Sequence, residues 1–571
     1  MAAQGWRKAL KATVAAAALA TGAAVMGGQA AAQQKPQYGG TLEVATWFAT
    51  LSALSWDPYD WNWKLNHDTG QFYEQLVTGD LDKSVKKGGK YPFIIDAFLP
   101  PDAQRGELAE KWEWSDSPPS VTFHLRKGVM FPEKPGVMAA REMTADDVVF
   151  SYNRLRSSPK YIGTYFDFVD KVEAKDKYTV VYTFKEFNAE WDFRLAWGFY
   201  SVITPKEVVD AGAGNWKNVN GTGPFMLTDF VQGNSNTYSR NPVYWDKEKL
   251  DGVEYKIPFV DKLVYRTIKD EATQLAALRT AKIDILESIN ARNVAELKKT
   301  APDLKWNKRL SVLGSFMAMR TDTKPFDDIR VRRALNMAIN KKEIIDAHYS
   351  GEAELHAYPM HPDWTGYFDP LDKLPEAARE MYVYDPAKAK KLLAEAGYPK
   401  GFSFPLQFCA CSPDHVELAP LIAAYLEQVG VKAELQPMEY SAFLSAMTTK
   451  KHAAGYLMNS SHTNPTTSIR KSFVSGQTWN PALYSNAEFD KEMDEVYRTK
   501  DEAKRKAMLR DLTAKIVAEA PYIWLPTPYV YSAWWPWVKN YDGELSVGSI
   551  RPGPIYARIW LDQDLKKKMG R

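Results

Sequence analysis

Tryptophan is the residue type most visibly arranged for chemistry in this chain. Trp47, Trp56, Trp61 and Trp63 fall within 17 positions, and Trp524, Trp534, Trp535 and Trp537 gather near the other end. Each ring offers two apolar faces and one N–H donor, so such clusters serve as core or as platforms for sugars, rings and peptide side chains. Core packing between the chain ends is the plain use for any single one. The loop setting before Asp57-Pro58 makes Trp47, Ser55 and Trp56 the better ligand contacts. The only cysteines, Cys409 and Cys411, stand two apart with His415 nearby. On a strand both would face one way with Cα atoms ~6.6 Å apart, near the upper limit for a disulfide. Buried thiols or a disulfide are expected; a metal clip would need ligands that are not evident, so neither metal nor cofactor is assigned. No His-Glu-x2-His or Gly-x-Ser-x-Gly frame is present, and the Gly221/Gly223 pair lacks the frame of a phosphate loop, so no catalytic residue is assigned.

The elements that must position these residues follow from period and punctuation. Val121, Phe123 and Leu125 alternate with Thr122, His124 and Arg126, which predicts a half-buried strand closed by Gly128. Thr144 and Asp147 then read as an N-cap and acidic first turn, followed by Val148, Tyr152 and Leu155 at helical spacing. Leu42 and Val44 alternate in a short strand after Gly39-Gly40, Glu271 to Thr280 predicts a helix, and Ile283 to Leu286 a strand. Val331, Ala334, Leu335, Ala338 and Ile339 form an apolar stripe with Asp327 and Asp328 at its start; the arginines fall off the stripe and are expected on a solvated face. Asp385-Pro386 opens a helix that Gly397 ends. Strand PLQFCAC, helix VELAPLIAAYLEQVG and strand VKAELQPM alternate as in a βαβ unit.

A chain of 571 residues exceeds what one core sustains, so at least two domains are expected. Its 45% hydrophobic and 25% charged residues are those of an ordinary globular protein. Residues 1–32 differ: Arg7, Lys8 and Lys11 precede an Ala-rich run, and Ala30-Ala31-Ala32 fits the site of a cleavable signal peptide. Removing those three cations would cancel the formal net charge of +3, which leaves no electrostatic case for nucleic acid or an anionic membrane as partner. The expected address is therefore an exported, oxidising compartment.

Four separated pieces, in order, resemble the bacterial extracellular solute-binding proteins of family 5, the dipeptide, oligopeptide and nickel receptors of ABC importers. They are YGGTLEVA; LAEKWEW, VTFHLRKGVMF and TADDVVFSYNRL; GTGPFMLTDF, RNPVYW and ATQLAALRTAKIDIL; and KPFDDIRVRRALNMAI with YDPAKAKKLLAEAGYPKG. The resemblance implies an α/β, two-lobed periplasmic binding protein fold (type II, cluster C-like) with a subdomain inserted in the large lobe. On that pattern residues 33–79, 203–308 and 522–571 make the large lobe, 80–202 the insertion and 309–521 the second lobe. It further implies a monomer in the periplasm, without enzymatic activity, that captures a peptide or peptide-like solute between closing lobes and delivers it to an inner-membrane ABC permease complex. One family feature is missing. The receptors it resembles place an aspartate in the second lobe to pair with a peptide's ammonium; Ser461 stands about there, and Asn464 replaces the acid before Pro465. The resemblance thus assigns Tyr456, Asn459, Ser461, His462 and Asn464 to the ligand, and their uncharged character keeps open an oligosaccharide, opine or other non-peptide solute. A secreted hydrolase is the remaining alternative and has no positive motif.

Overall fold

The computed structural model describes residues 35–46, 55–60, 68–95, 97–158, 163–461 and 464–571; Trp47, Trp61, Trp63, His462 and the leader lie outside them. Two hydrophobic cores divide the chain. The first gathers residues from Leu42 to Leu304 and from Ala533 to Leu561, the second mainly residues from Phe316 to Leu525.

The first core lies on a mixed sheet whose order is Phe225–Val231, Ser235–Arg240, Lys262–Thr267, Thr41–Thr46, Ile285–Asn290, Thr527–Trp534 and Lys305–Leu310. Thr41–Thr46 runs parallel to both its neighbours, as strands joined through long connections must. A separate four-stranded antiparallel sheet (Ala109–Asp116, Pro119–Leu125, Thr179–Phe184, Val169–Asp176) packs under the Ala145–Ser157 helix. That helix starts where the sequence places it, because the Asp147 carboxylate accepts from Thr144 N at 2.9 Å in a capping box.

The second core lies on a five-stranded sheet ordered Val431–Met438, Phe402–Cys409, Gly455–Ser461, Leu313–Met319 and Tyr522–Trp524. Phe402–Cys409 and Val431–Met438 are parallel and joined by the Pro413–Glu427 helix, a βαβ unit. Cys409 and Cys411 form a disulfide with Cα atoms 5.1 Å apart; the spacing undercuts that of a strand because the strand stops at Cys409 and the chain turns. Arg332 also departs from expectation. It is 4% exposed and donates to Glu519 O at 3.0 Å and to Phe326 O at 2.9 Å, since its helix is enclosed by the sheet and the Glu502–Glu519 helix.

The chain passes between the two sheets from Leu310 to Leu313 and from Trp524 to Thr527, and in between sends the short strand Ala353–Glu354 back to pair with Thr527–Trp534 of the first sheet. Tyr522–Trp524, at the start of the stretch assigned from sequence to the large lobe, therefore pairs in the second sheet. The carboxy-terminal segment is pinned to the first core by a buried ion pair: Arg551 and Glu107 are each 1% exposed, and Arg551 Nη1 lies 2.6 Å from Glu107 Oε2 while Nη2 bonds the other carboxylate oxygen. The tryptophans of this end are structural. Trp535 and Trp537 stack at 4.8 Å, with Nε1–H groups donated to Leu278 O at 2.9 Å and Asp284 Oδ1 at 2.7 Å.

Candidate functional site

Where the two cores meet, a strand and a helix bring polar side chains out of the second core. The Gly455–Ser461 strand is hydrogen-bonded along its length to Leu313–Met319, in a register that pairs Gly455 with Met319 and Ser461 with Leu313. Only glycine fits at 455, because a Cβ there would come within 2.4 Å of the Phe404 ring. The strand is buried through Met458 and emerges half-buried at Asn459, Ser460 and Ser461. Beyond it the Pro465–Phe473 helix begins with Asn464 as its cap, whose Oδ1 accepts from Thr467 N at 2.8 Å, and with proline at the first helical position. Arg470 alone in this helix is not fully buried, so the element is wrapped by protein on every side.

One face of the helix meets the segment that ends in the π-helical turn Phe193–Trp197, whose apolar residues belong to the first core. Thr467 Oγ1 donates to Glu190 Oε1 at 2.6 Å, and Arg194 Nη2 donates to Thr467 Oγ1 at 3.0 Å and to Glu190 Oε2 at 2.5 Å. Glu190 and Arg194 are 3% and 5% exposed, so an ion pair withdrawn from water is completed by a hydroxyl from the opposite core. Arg194 lies over the Tyr165 ring at 4.1 Å, and Arg470 reaches the same ring at 5.1 Å from the second-core side. A short backbone bond, Ala189 N to Tyr497 O at 2.8 Å, closes the seam. Deeper on the helix, Lys471 is buried and its Nζ donates to Ser461 O at 2.8 Å. Burial pushes its ammonium down to about 7.

The structure brings Asn459, Ser461 and Asn464 together at this junction and places Ser55 and Trp56 in the first core. Ser55 Oγ donates to the Asp60 carboxylate and accepts from Asp57 N at 3.3 Å, so it holds its own turn. Trp56 is 1% exposed, its ring centred 5.2 Å from Phe230 and 6.5 Å from Phe72. Tyr456 is fully buried, stacked on Phe443 at 4.3 Å with its hydroxyl donated to Phe443 O at 2.5 Å. Both rings are enclosed by their own cores, as the pull of large aromatic area out of water favours. Trp47 and His462 lie outside the described residues. Glu190, Arg194, Thr467 and Lys471 were not singled out from sequence, where charged residues read as solvated and nothing marks a helix as enclosed.

With that geometry in place, comparison with known proteins is informative. The profile of "Bacterial extracellular solute-binding proteins, family 5 Middle" matches residues 104–481. The chain is 30% identical to heme-binding protein A of Haemophilus influenzae over 460 residues, 76% of this chain and 81% of that one. It is 29% identical to the dipeptide-binding protein of Escherichia coli over 405 residues, 67% of this chain and 72% of the other. Among solved structures, the periplasmic binding protein DppA of Helicobacter pylori in complex with the peptide STSA superposes with a TM-score of 0.74 at 26% identity, covering 92% of this chain and 99% of that one. The two-lobed fold and the mixed sheets are those of these periplasmic receptors.

Proposed function

The chain belongs to the family 5 bacterial extracellular solute-binding proteins, and from that membership we propose that it is the periplasmic receptor of an ABC importer for a peptide or peptide-like solute. Residues 1–32 serve as the export signal, the two cores correspond to two lobes, and the solute is held between them without being transformed. The observation that carries this reading is the polar seam of Glu190, Arg194 and Thr467, a buried hydrogen-bonded junction contributed by both cores. Contacts of that kind can differ between open and closed arrangements, which is what lets a solute shift the balance and a permease sense it. Peptide is the preferred cargo because relatives whose names specify dipeptides or glutathione match along most of the chain. An opine or other non-peptide solute is the second reading, favoured by the absence of a carboxylate from Asn459 to Ser461 and at Asn464.

The test is a thermal-shift screen of the full mature chain against di- to pentapeptides, opines and oligosaccharides. A solute at 100 times its dissociation constant is expected to stabilise by about 2.7 kcal/mol. Shifts with oligosaccharides alone would overturn the peptide-like reading.

A further inference from the structure

Lys471 is a buried group that the surrounding architecture does not use. The residue is 8% exposed and, among the described residues, its Nζ makes a single hydrogen bond, to Ser461 O, although an ammonium carries three donors. Among the described residues no carboxylate pairs with it, and burial lowers its pKa. Lys341 provides the contrast. It is 1% exposed and also meets one carbonyl, Asn336 O at 2.6 Å, but that carbonyl belongs to the last turn of the Ile329–Ala338 helix, where partial negative charge supports a cation. Lys471 has the opposite address. Helix side chains lean toward the amino-terminal end, and its acceptor Ser461 precedes the cap Asn464. The cation is thus brought toward the positive end of its own helix, where an anion would gain from both.

A second observation comes from the cap itself. Asn464 is 7% exposed; with Oδ1 fixed by Thr467 N, its Nδ2 is a buried donor without a hydrogen-bond partner among the described residues. Asn464, Thr467 and Lys471 stand at i, i+3 and i+7, on one face of the helix. The Thr467 hydroxyl is taken by Glu190 and Arg194, which leaves the amide and the ammonium as the open donors of that face.

We propose that Lys471 Nζ and Asn464 Nδ2 hold a carboxylate of the solute at the amino-terminal end of the Pro465–Phe473 helix, so that the cargo is selected for a negative group. This rests on the receptor reading above and narrows it: a free carboxyl terminus, an acidic side chain or an opine acid fits, and a neutral sugar does not. The seam lies one helical turn from Lys471, so parting the modules there would open this face to a solute.

The experiment compares paired probes on the full mature chain by calorimetry: di- and tripeptides with free carboxyl termini, the same peptides amidated, mannopinic acid as an opine, gluconate as a sugar acid, and maltotriose as a neutral sugar. Wild type is expected to bind acids at least tenfold more tightly than their amides. Lys471→Met should erase that preference while leaving the ligand-free protein melting no lower than wild type, and Lys471→Arg should retain part of it. Equal binding of peptide acids and amides would overturn the proposal and leave the peptide receptor standing. Binding of gluconate but no peptide or opine would do the reverse. Binding of maltotriose alone, or no carboxylate bound at all, would overturn the proposal, as would a Lys471→Met protein that melts lower with acid preference intact.

Discussion

Arg551 and Lys471 are both cations taken out of water, one in each core, and their surroundings differ in kind. Arg551 meets Glu107 through two parallel bonds, and Glu107 also accepts from Gln75 N at 2.8 Å, so charge and hydrogen-bonding capacity are satisfied within the fold. Lys471 is given one main-chain carbonyl. A buried ion pair is poor value as a stabiliser against an apolar substitute but very costly to break. An unpaired buried cation is costly as it stands. The difference separates a residue that fastens the chain from one whose partner comes from elsewhere.

The comparison can be broken first at the paired site. Glu107→Gln leaves Arg551 enclosed without its counter-charge and is expected to lower stability by about 3–5 kcal/mol, read as a fall in the urea midpoint. A loss below about 1 kcal/mol would mean that the pair is solvated. Next comes the pH profile of the unpaired site. Burial lowers Lys471 to about 7 in the folded protein, whereas an unfolded lysine titrates near 10.4. Between about pH 7 and 10 the unfolded chain keeps a proton that the folded chain has released, so stability rises with pH, by up to about 1.4 kcal/mol per unit for this group. Lys471→Met should flatten the rise by that amount. Lys341, also lowered by burial to about 7, keeps its own share. An unchanged slope would show that Lys471 is paired after all. The smallest effect is expected at the cap: Asn464→Ala removes the acceptor of Thr467 N and should cost about 1 kcal/mol in chemical denaturation, while Asn464→Asp keeps the cap and supplies an anion toward Lys471.

Much of the scaffold was legible in the residues. The Thr144–Asp147 box, the Asp385-Pro386 opening and the βαβ alternation around Pro413–Glu427 are local signals, set by hydrogen bonds within a few residues. The site was legible only in part. Asn464 and Ser461 entered through the resemblance, and Trp56, expected as a ligand contact, packs in the first core, because a tryptophan before a turn reads the same whether its ring meets a solute or Phe72 and Phe230. Arg332 and Lys471 were out of reach for one reason: whether a helix is covered on its polar face depends on what packs there from distant sequence, here the Glu502–Glu519 helix and the two cores.

The position of Thr527–Trp534 has a further consequence. This strand lies between Ile285–Asn290 and Lys305–Leu310 and is antiparallel to both. Those two neighbours are close in sequence, yet the slot between them stays vacant until a segment more than two hundred residues later arrives. Both sheets therefore wait for the same late stretch: the second takes its edge strand Tyr522–Trp524 from it and the first its inner strand Thr527–Trp534. One short stretch, residues 522–534, thus completes both sheets, so neither core holds its full set of strands until that stretch is in place.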